Sequence, residues 1–162
     1  MNTPQVQLRP TIEDDLPLLF AHQLDAEANR MAAFTAEDPT DRSLFMTQWV
    51  KILADASAIT RTIICEGQVV GYIVGFEQFG KPSVGYWLGK AYWGKGIATA
   101  ALASFLTQVT ERPLYARVAK DNIASRRVLE KCGFTICGED TGFSHVRGQQ
   151  VEEFILVLNP EA

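Results

Sequence analysis

Apolar residues recur along this chain with two different periods, and the switches between them mark out its elements. Val6 to Arg9 alternates apolar and polar side chains, which predicts a short first strand. Thr11-Ile12-Glu13-Asp14 has the form of a capping box, and Pro17 suits a first helical turn, so a helix is expected from there to about Ala28. A polar connection, Thr35 to Thr40, follows. Between Asp41 and Asp55, Phe45, Trp49, Ile52 and Leu53 fall at i, i+4, i+7 and i+8, the stripe of a helix with one buried face.

The period then shortens. Thr60 to Cys65 and Gln68 to Phe79 are β-rich runs joined at Glu66-Gly67, a hairpin signal. Gly80-Lys81-Pro82 breaks the chain before another strand, Val84 to Leu88. Ile97, Ala101, Phe105 and Val109 form one helical ladder, with Ala98, Leu102 and Leu106 beside it, and the alanines let such a helix lie close against a sheet. Arg112-Pro113 ends it. Leu114 to Val118 reads as a strand and Ile123 to Cys132 as a helix, with Asn122 at its N-cap and Gly133 at its C-terminus. Phe134 to Cys137 and Val151 to Leu158 are the closing strands, with a polar loop from Gly138 to Gln150 between them. The expected fold is a mixed α/β (α+β) domain covering residues 1–162. Its central sheet is mostly antiparallel, with about seven strands and about four flanking helices, and it includes at least one crossover helix.

Composition narrows the function. A hydrophobic fraction of 47% and a charged fraction of 21% are those of a soluble globular chain, and no apolar run approaches the roughly 18 residues of a membrane span. The opening MNTPQVQLRPTIEDD lacks the basic and apolar regions of a signal peptide. Cys65, Cys132 and Cys137 form no C-x-x-C pair, so neither a disulfide framework nor a metal site is expected, which fits a reducing cytoplasm. A net charge of −4 argues against nucleic acid and is compatible with a cationic small molecule or a basic polypeptide end.

One stretch, AYWGKGIATAAL from Ala91 to Leu102, carries candidate chemistry. It lacks both the third glycine of G-x-G-x-x-G and the G-K-[ST] ending of a P-loop. Gly94 and Gly96 stand between a strand and a helix, where an ordinary turn also uses glycine. The same place exposes unpaired N–H groups and the positive end of a helix dipole. Ile97, Ala98 and Thr99 bring no acidic side chain to repel a phosphate. Spacing and physics leave a turn and a diphosphate cradle both open.

Trp93-Gly94-Lys95-Gly96-Ile97-Ala98-Thr99 resembles the pyrophosphate loop, [QR]-x-x-G-x-[GA], of the GNAT superfamily of acyl-coenzyme A N-acyltransferases, with Gly96 and Ala98 at the small positions. Asn122 to Phe134, NIASRRVLEKCGF, is similar to the N-x-x-S-x-x-v-l-E-K-x-G-F signature of the branch containing the ribosomal-protein alanine N-acetyltransferases. The element order fits that fold over essentially the whole chain. Trp93 departs from the pattern, standing where Gln or Arg is usual.

The resemblance implies acetyl-CoA, or another acyl-CoA, as cosubstrate, with no metal. The N–H groups of Lys95 to Thr99 would take the pyrophosphate, and the strand ending at Leu88-Gly89 would pair with the pantetheine arm. A backbone N–H near Leu88 would face the thioester oxygen, and Asn122 would reach the pantetheine. Many members protonate the departing thiolate with a tyrosine where this chain has Leu129. Ser125, one turn earlier, is the nearest hydroxyl and is expected to assist the sulfur or bind the cofactor. The glutamate often found near Pro82-Ser83-Val84-Gly85 is absent. This leaves Glu77, Glu152 or Glu153, a water relay, or no base at all. The acceptor groove is expected between Asn29 to Asp41 and Glu139 to Gln150, where Glu37, Asp38, Asp41, Glu139 and Asp140 would favour a cationic amine. The acceptor itself would be a small-molecule amine or a protein N-terminus, and the protein a monomer or homodimer. A non-catalytic acyl-CoA sensor and a plain interaction domain are the competing readings.

Overall fold

The computed structural model describes residues 4–160. Seven strands form one sheet: β1 (Val6–Pro10), β2 (Ile59–Cys65), β3 (Gln68–Gln78), β4 (Lys81–Leu88), β5 (Leu114–Ala119), β6 (Thr135–Ser144) and β7 (Gln149–Leu158). Their spatial order is β1-β2-β3-β4-β5-β7-β6, and every neighbouring pair is antiparallel except β4 and β5. Five α-helices cover it: α1 (Leu16–Gln23), α2 (Ala26–Ala32), α3 (Arg42–Ala54), α4 (Ile97–Gln108) and α5 (Ile123–Lys131). The mixed, mostly antiparallel architecture is the expected one.

The core divides by face. Ile63, Ile73, Val84, Ala101, Leu102, Phe105, Leu129 and Leu156 pack between the sheet and α4 and α5. Leu16, Leu19, Phe20, Phe45 and Trp49 pack α1 and α3 on the other face, with Tyr72 of β3 edge-on to Trp49.

Three expectations are corrected. The first helix does not run unbroken to Ala28. Asp25 Oδ1 accepts the Ala28 N–H at 2.9 Å and so caps a separate helix, α2. The break at Gly80-Lys81-Pro82 is a hairpin turn, with Phe79 and Gly80 at φ of 51° and 74°, and β4 already begins at Lys81. The polar loop from Gly138 to Gln150 is mostly strand, because β6 continues to Ser144 and β7 starts at Gln149. As the outermost strand β6 is largely exposed on both faces, so it never acquires the apolar alternation that marks half-buried strands.

Candidate functional site

The site is built where the sheet opens. β4 pairs with β5 at one position, Ser83 opposite Tyr115, and the ladder stops there, although β4 continues to Leu88. Backbone groups on the β5 side of that stretch are therefore left without strand partners. A short 3-10 turn (Lys90–Tyr92) then leads into the glycine loop.

Gly94 and Gly96 take φ of 75° and 78°, the left-handed region that a side chain disfavours. Gly96 is the N-cap of α4, and the first helical bond recorded there runs from Ala100 N–H to Gly96 O at 3.1 Å. The N–H groups of Ile97, Ala98 and Thr99 are thus the unpaired donors of a helix start, with no acidic residue in the first turn. Lys95 is exposed beside them. The chemistry of this helix start suits an anion such as a diphosphate: free N–H donors, the positive end of the dipole, and no acidic residue in the first turn.

Trp93 answers for the missing polar residue in an unexpected way. Its indole Nε1 donates to Leu88 O at 2.9 Å, tying the loop back to the end of β4. The Gly89 N–H is also occupied, donating to Val70 O at 2.9 Å, so it belongs to the sheet rather than to a ligand. A Cβ at Gly89 would stand 2.9 Å from His22 Cδ2, so α1 approaches the strand end closely.

Across the opening, Asn122 caps α5 by accepting the Ser125 N–H at 3.3 Å, which leaves its amide Nδ2 without a partner among the described residues. Ser125 Oγ lies 2.7 Å from the Tyr86 hydroxyl. Tyr86 is the residue that sequence reasoning missed. Its signal was only the alternation Val84, Tyr86, Leu88, and nothing in the sequence joins it to a serine in a different motif. Burial pushes the Tyr86 phenol up to about 12, with the Ser125 bond pulling the other way and Cys132 adding to the rise. Leu129, where many relatives place tyrosine, is 2% exposed in the core.

The carboxylates are placed differently. Glu77 is exposed on β3 opposite Pro82. It lies four residues along β3 from Ile73, the partner of Tyr86, or about 14 Å along the strand. Glu153 is the inward-facing member of its pair and meets Arg117 Nη1 at 2.7 Å. Glu152 and Glu139 both pair with Lys120, at 2.6 and 2.7 Å, and the Lys120 ammonium holds the Glu152 carboxyl below its ordinary range. Asp140 pairs with Arg117, Asp41 caps α3 through the Leu44 N–H, and Asp38 closes a turn with Thr40. The expected acidic groove is therefore largely neutralised or engaged in capping.

The β6–β7 turn is tied to α2 over the expected groove. Arg147, in the β6–β7 turn, donates to Arg30 O and Met31 O of α2 and forks onto Asp121 at 2.6 and 3.0 Å. His22 Nδ1 of α1, Asn29 Oδ1 of α2, Thr35 Oγ1 and Trp87 Nε1 of β4 are buried without a hydrogen-bond partner among the described residues. The larger surface cavity, about 900 Å³, is lined by Gln7, Cys65, Gln68, Tyr92 and Lys95 among others. It borders the loop from the β1–β2 side and reaches neither Tyr86 nor Ser125. Among the described residues no group of three His, Cys, Asp or Glu is placed to hold a metal ion, and no helix is long and apolar enough to cross a membrane.

Residues 5–135 match the family model described as Acetyltransferase (GNAT) domain. The chain belongs to the GNAT acetyltransferase family. Over 126 residues this GNAT protein is 32% identical to the Bacillus subtilis (strain 168) protein named "Putative ribosomal N-acetyltransferase YdaF", covering 71% of this chain and 69% of that one. It is similar in structure to Mycobacterium smegmatis RimJ in complex with CoA-disulfide, with TM-score 0.76 and 26% identity over 95% of this chain and 81% of the other. It also shares the fold of a ribosomal-protein-alanine N-acetyltransferase from Brucella melitensis, with TM-score 0.79 and 23% identity, covering 95% of this chain and 99% of that one.

Proposed function

We propose that this GNAT acetyltransferase moves an acetyl, or another short acyl, group from its coenzyme A thioester to a primary amine. The amine belongs to a small molecule or a protein N-terminus and attacks directly in a ternary complex. The observation that carries this reading is the conjunction of two features at one end of β4. Free N–H donors at the start of α4 lie beside a sheet that opens from Ser83 onward. A diphosphate on the first and a pantetheine arm laid in the second would bring a thioester to the Tyr86–Ser125 pair.

In that arrangement Ile97, Ala98 and Thr99 hold phosphate oxygens through backbone N–H groups, with Lys95 adding charge and Leu88 and Gly89 flanking the arm. Asn122 keeps its cap with Oδ1 and offers Nδ2 to a pantetheine carbonyl. Ser125 donates to the departing sulfur. A base is not demanded of the chain. Glu152 and Glu153 are paired with cations, Glu77 would work only through relayed water at its distance, and an amine that arrives neutral needs none. The amine would enter from the α2 side. The names of the relatives support acceptors of the ribosomal-protein kind, and the name of a spermidine N-acetyltransferase chimera that shares the fold supports small amines as well.

The test is release of coenzyme A thiol from acetyl-CoA over panels of amines and peptides. Acceptor-dependent release is expected, and Ser125→Ala is expected to slow turnover by about 10-fold or more. No thiol release above background with any acceptor, together with a thermal shift on acetyl-CoA binding, would instead establish a non-catalytic binder.

A further inference from the structure

We propose that Tyr86 is a positioning residue for acyl transfer: its hydroxyl donates to Ser125 Oγ and thereby turns the serine proton toward the departing sulfur in the opening between β4 and β5. The inference rests on the coenzyme A reading given above and assigns a role that the α5 signature does not contain. Tyr86 lies three residues beyond Ser83, the last point of β4–β5 pairing, so it stands at the mouth of the opening. Ser125 lies in the first turn of α5, on the far side of the β5 crossover. The 2.7 Å contact between their hydroxyls spans residues 39 apart in sequence.

The 2.7 Å contact admits either hydroxyl as donor, and the proposal assigns the donation to Tyr86. A serine hydroxyl has one proton and two acceptor sites, and so does a phenol. Among the described residues the Tyr86 oxygen meets Ser125 alone, through Oγ at 2.7 Å and its backbone O at 3.4 Å. A phenol is a stronger acid than an aliphatic hydroxyl and so the better donor of the two. Once Ser125 Oγ accepts from Tyr86, its own proton is free for a sulfur laid in the opening.

The chemistry balances without an outside reactant. The amine lone pair forms the C–N bond, and the C–S bond breaks with its electron pair on sulfur. Sulfur takes the Ser125 proton, while Tyr86 keeps its own and only orients the serine. The proton shed by nitrogen is returned to Ser125 through solvent. The bland alternative is that the hydroxyl contact merely ties α5 to β4, and the two make different predictions.

Tyr86→Phe in the full chain keeps the ring that packs in the core and removes only the hydroxyl. With acetyl-CoA and an accepted amine, kcat is expected to fall about 10-fold or more, with KM for acetyl-CoA within about 2-fold. The Tyr86→Phe, Ser125→Ala double variant is expected to be no slower than Ser125→Ala alone, as for groups acting as one unit. Tyr86→3,5-difluorotyrosine, which preserves shape should phenylalanine not fold, is expected to move the alkaline limb of the kcat profile to lower pH. Unchanged kcat in Tyr86→Phe, losses that multiply in the double variant, or an unmoved pH profile would each overturn the role and leave only the structural tie. A wild-type protein that binds acetyl-CoA but releases thiol with no acceptor overturns the acyl-transfer reading and the role of Tyr86 with it.

Discussion

Asp15 and Tyr86 are both buried polar side chains, on opposite faces of one sheet, and they are treated in opposite ways. The Asp15 side chain is 4% exposed, and the structure satisfies it from all sides. Arg9 forks onto it with two contacts of 2.7 Å, the Ile12 N–H donates at 3.0 Å, and Thr62 Oγ1 donates at 2.8 Å. Burial pushes its carboxyl up, but Arg9, Ile12 and Thr62 together outweigh burial and hold it below the ordinary range. Around Tyr86 the polar groups are only half used. One hydroxyl pair stands where β4 has lost its β5 partner, and the N–H groups that start α4 meet no acceptor among the described residues. Closed networks hold a fold together, and open ones mark where a ligand completes the set.

The sharpest way to break this contrast is at Asp15. Asp15→Ala leaves the Arg9 charge and the Thr62 hydroxyl without their partner and is expected to lose about 3 kcal/mol of stability, read by chemical denaturation. That corresponds to a melting temperature lower by roughly 6 to 12 °C. Its pH dependence has a fixed sign. A carboxyl depressed in the folded state contributes stability that is fully present above the unfolded value of about 3.9 and is lost as pH falls through the folded value. Asp15→Asn is therefore expected to flatten the acid limb of stability against pH while leaving the site of transfer alone. Equal acid sensitivity in Asp15→Asn and wild type would show that another group controls that limb.

A smaller effect sharpens the other side of the comparison. Trp93→Phe keeps an aromatic ring in the loop but loses the bond from Nε1 to Leu88 O, worth about 1 kcal/mol. The expected result is a KM for acetyl-CoA raised about 3- to 5-fold with kcat nearly unchanged, because the loop is loosened and the Tyr86–Ser125 pair is not. A fall in kcat at constant KM would place Trp93 closer to the chemistry than its bond implies.

What could be read from the sequence followed burial. Phe45 and Trp49 on α3, and Ile97, Ala101 and Phe105 on α4, announce their helices because one face of each is dry. Strand β6 is exposed on both sides, so most of it passed for loop. The helix break at Asp25 lay hidden because a single capping carboxylate decides it. In the site, Gly94, Gly96 and Asn122 were legible as local geometry, which neighbouring residues set. Tyr86 beside Ser125 was not, since only the approach of α5 to β4 brings them together. Nor was the pairing of Glu139, Asp140, Glu152 and Glu153 with Lys120 and Arg117, which neutralises two members of the expected acidic groove and two candidate bases.

The central claim is that the free N–H groups after Gly96 hold a diphosphate. Calorimetric titration of acetyl-CoA and of S-acetylpantetheine, which lacks the diphosphate, into wild type and Gly96→Val tests it most directly. Wild type is expected to bind acetyl-CoA at least about 10-fold more tightly, a difference of about 1.4 kcal/mol. Gly96→Val, whose β-branched side chain cannot hold φ of 78° without strain, is expected to lose most of that difference while keeping its circular dichroism spectrum. A folded Gly96→Val that retains the full preference for acetyl-CoA would contradict the account.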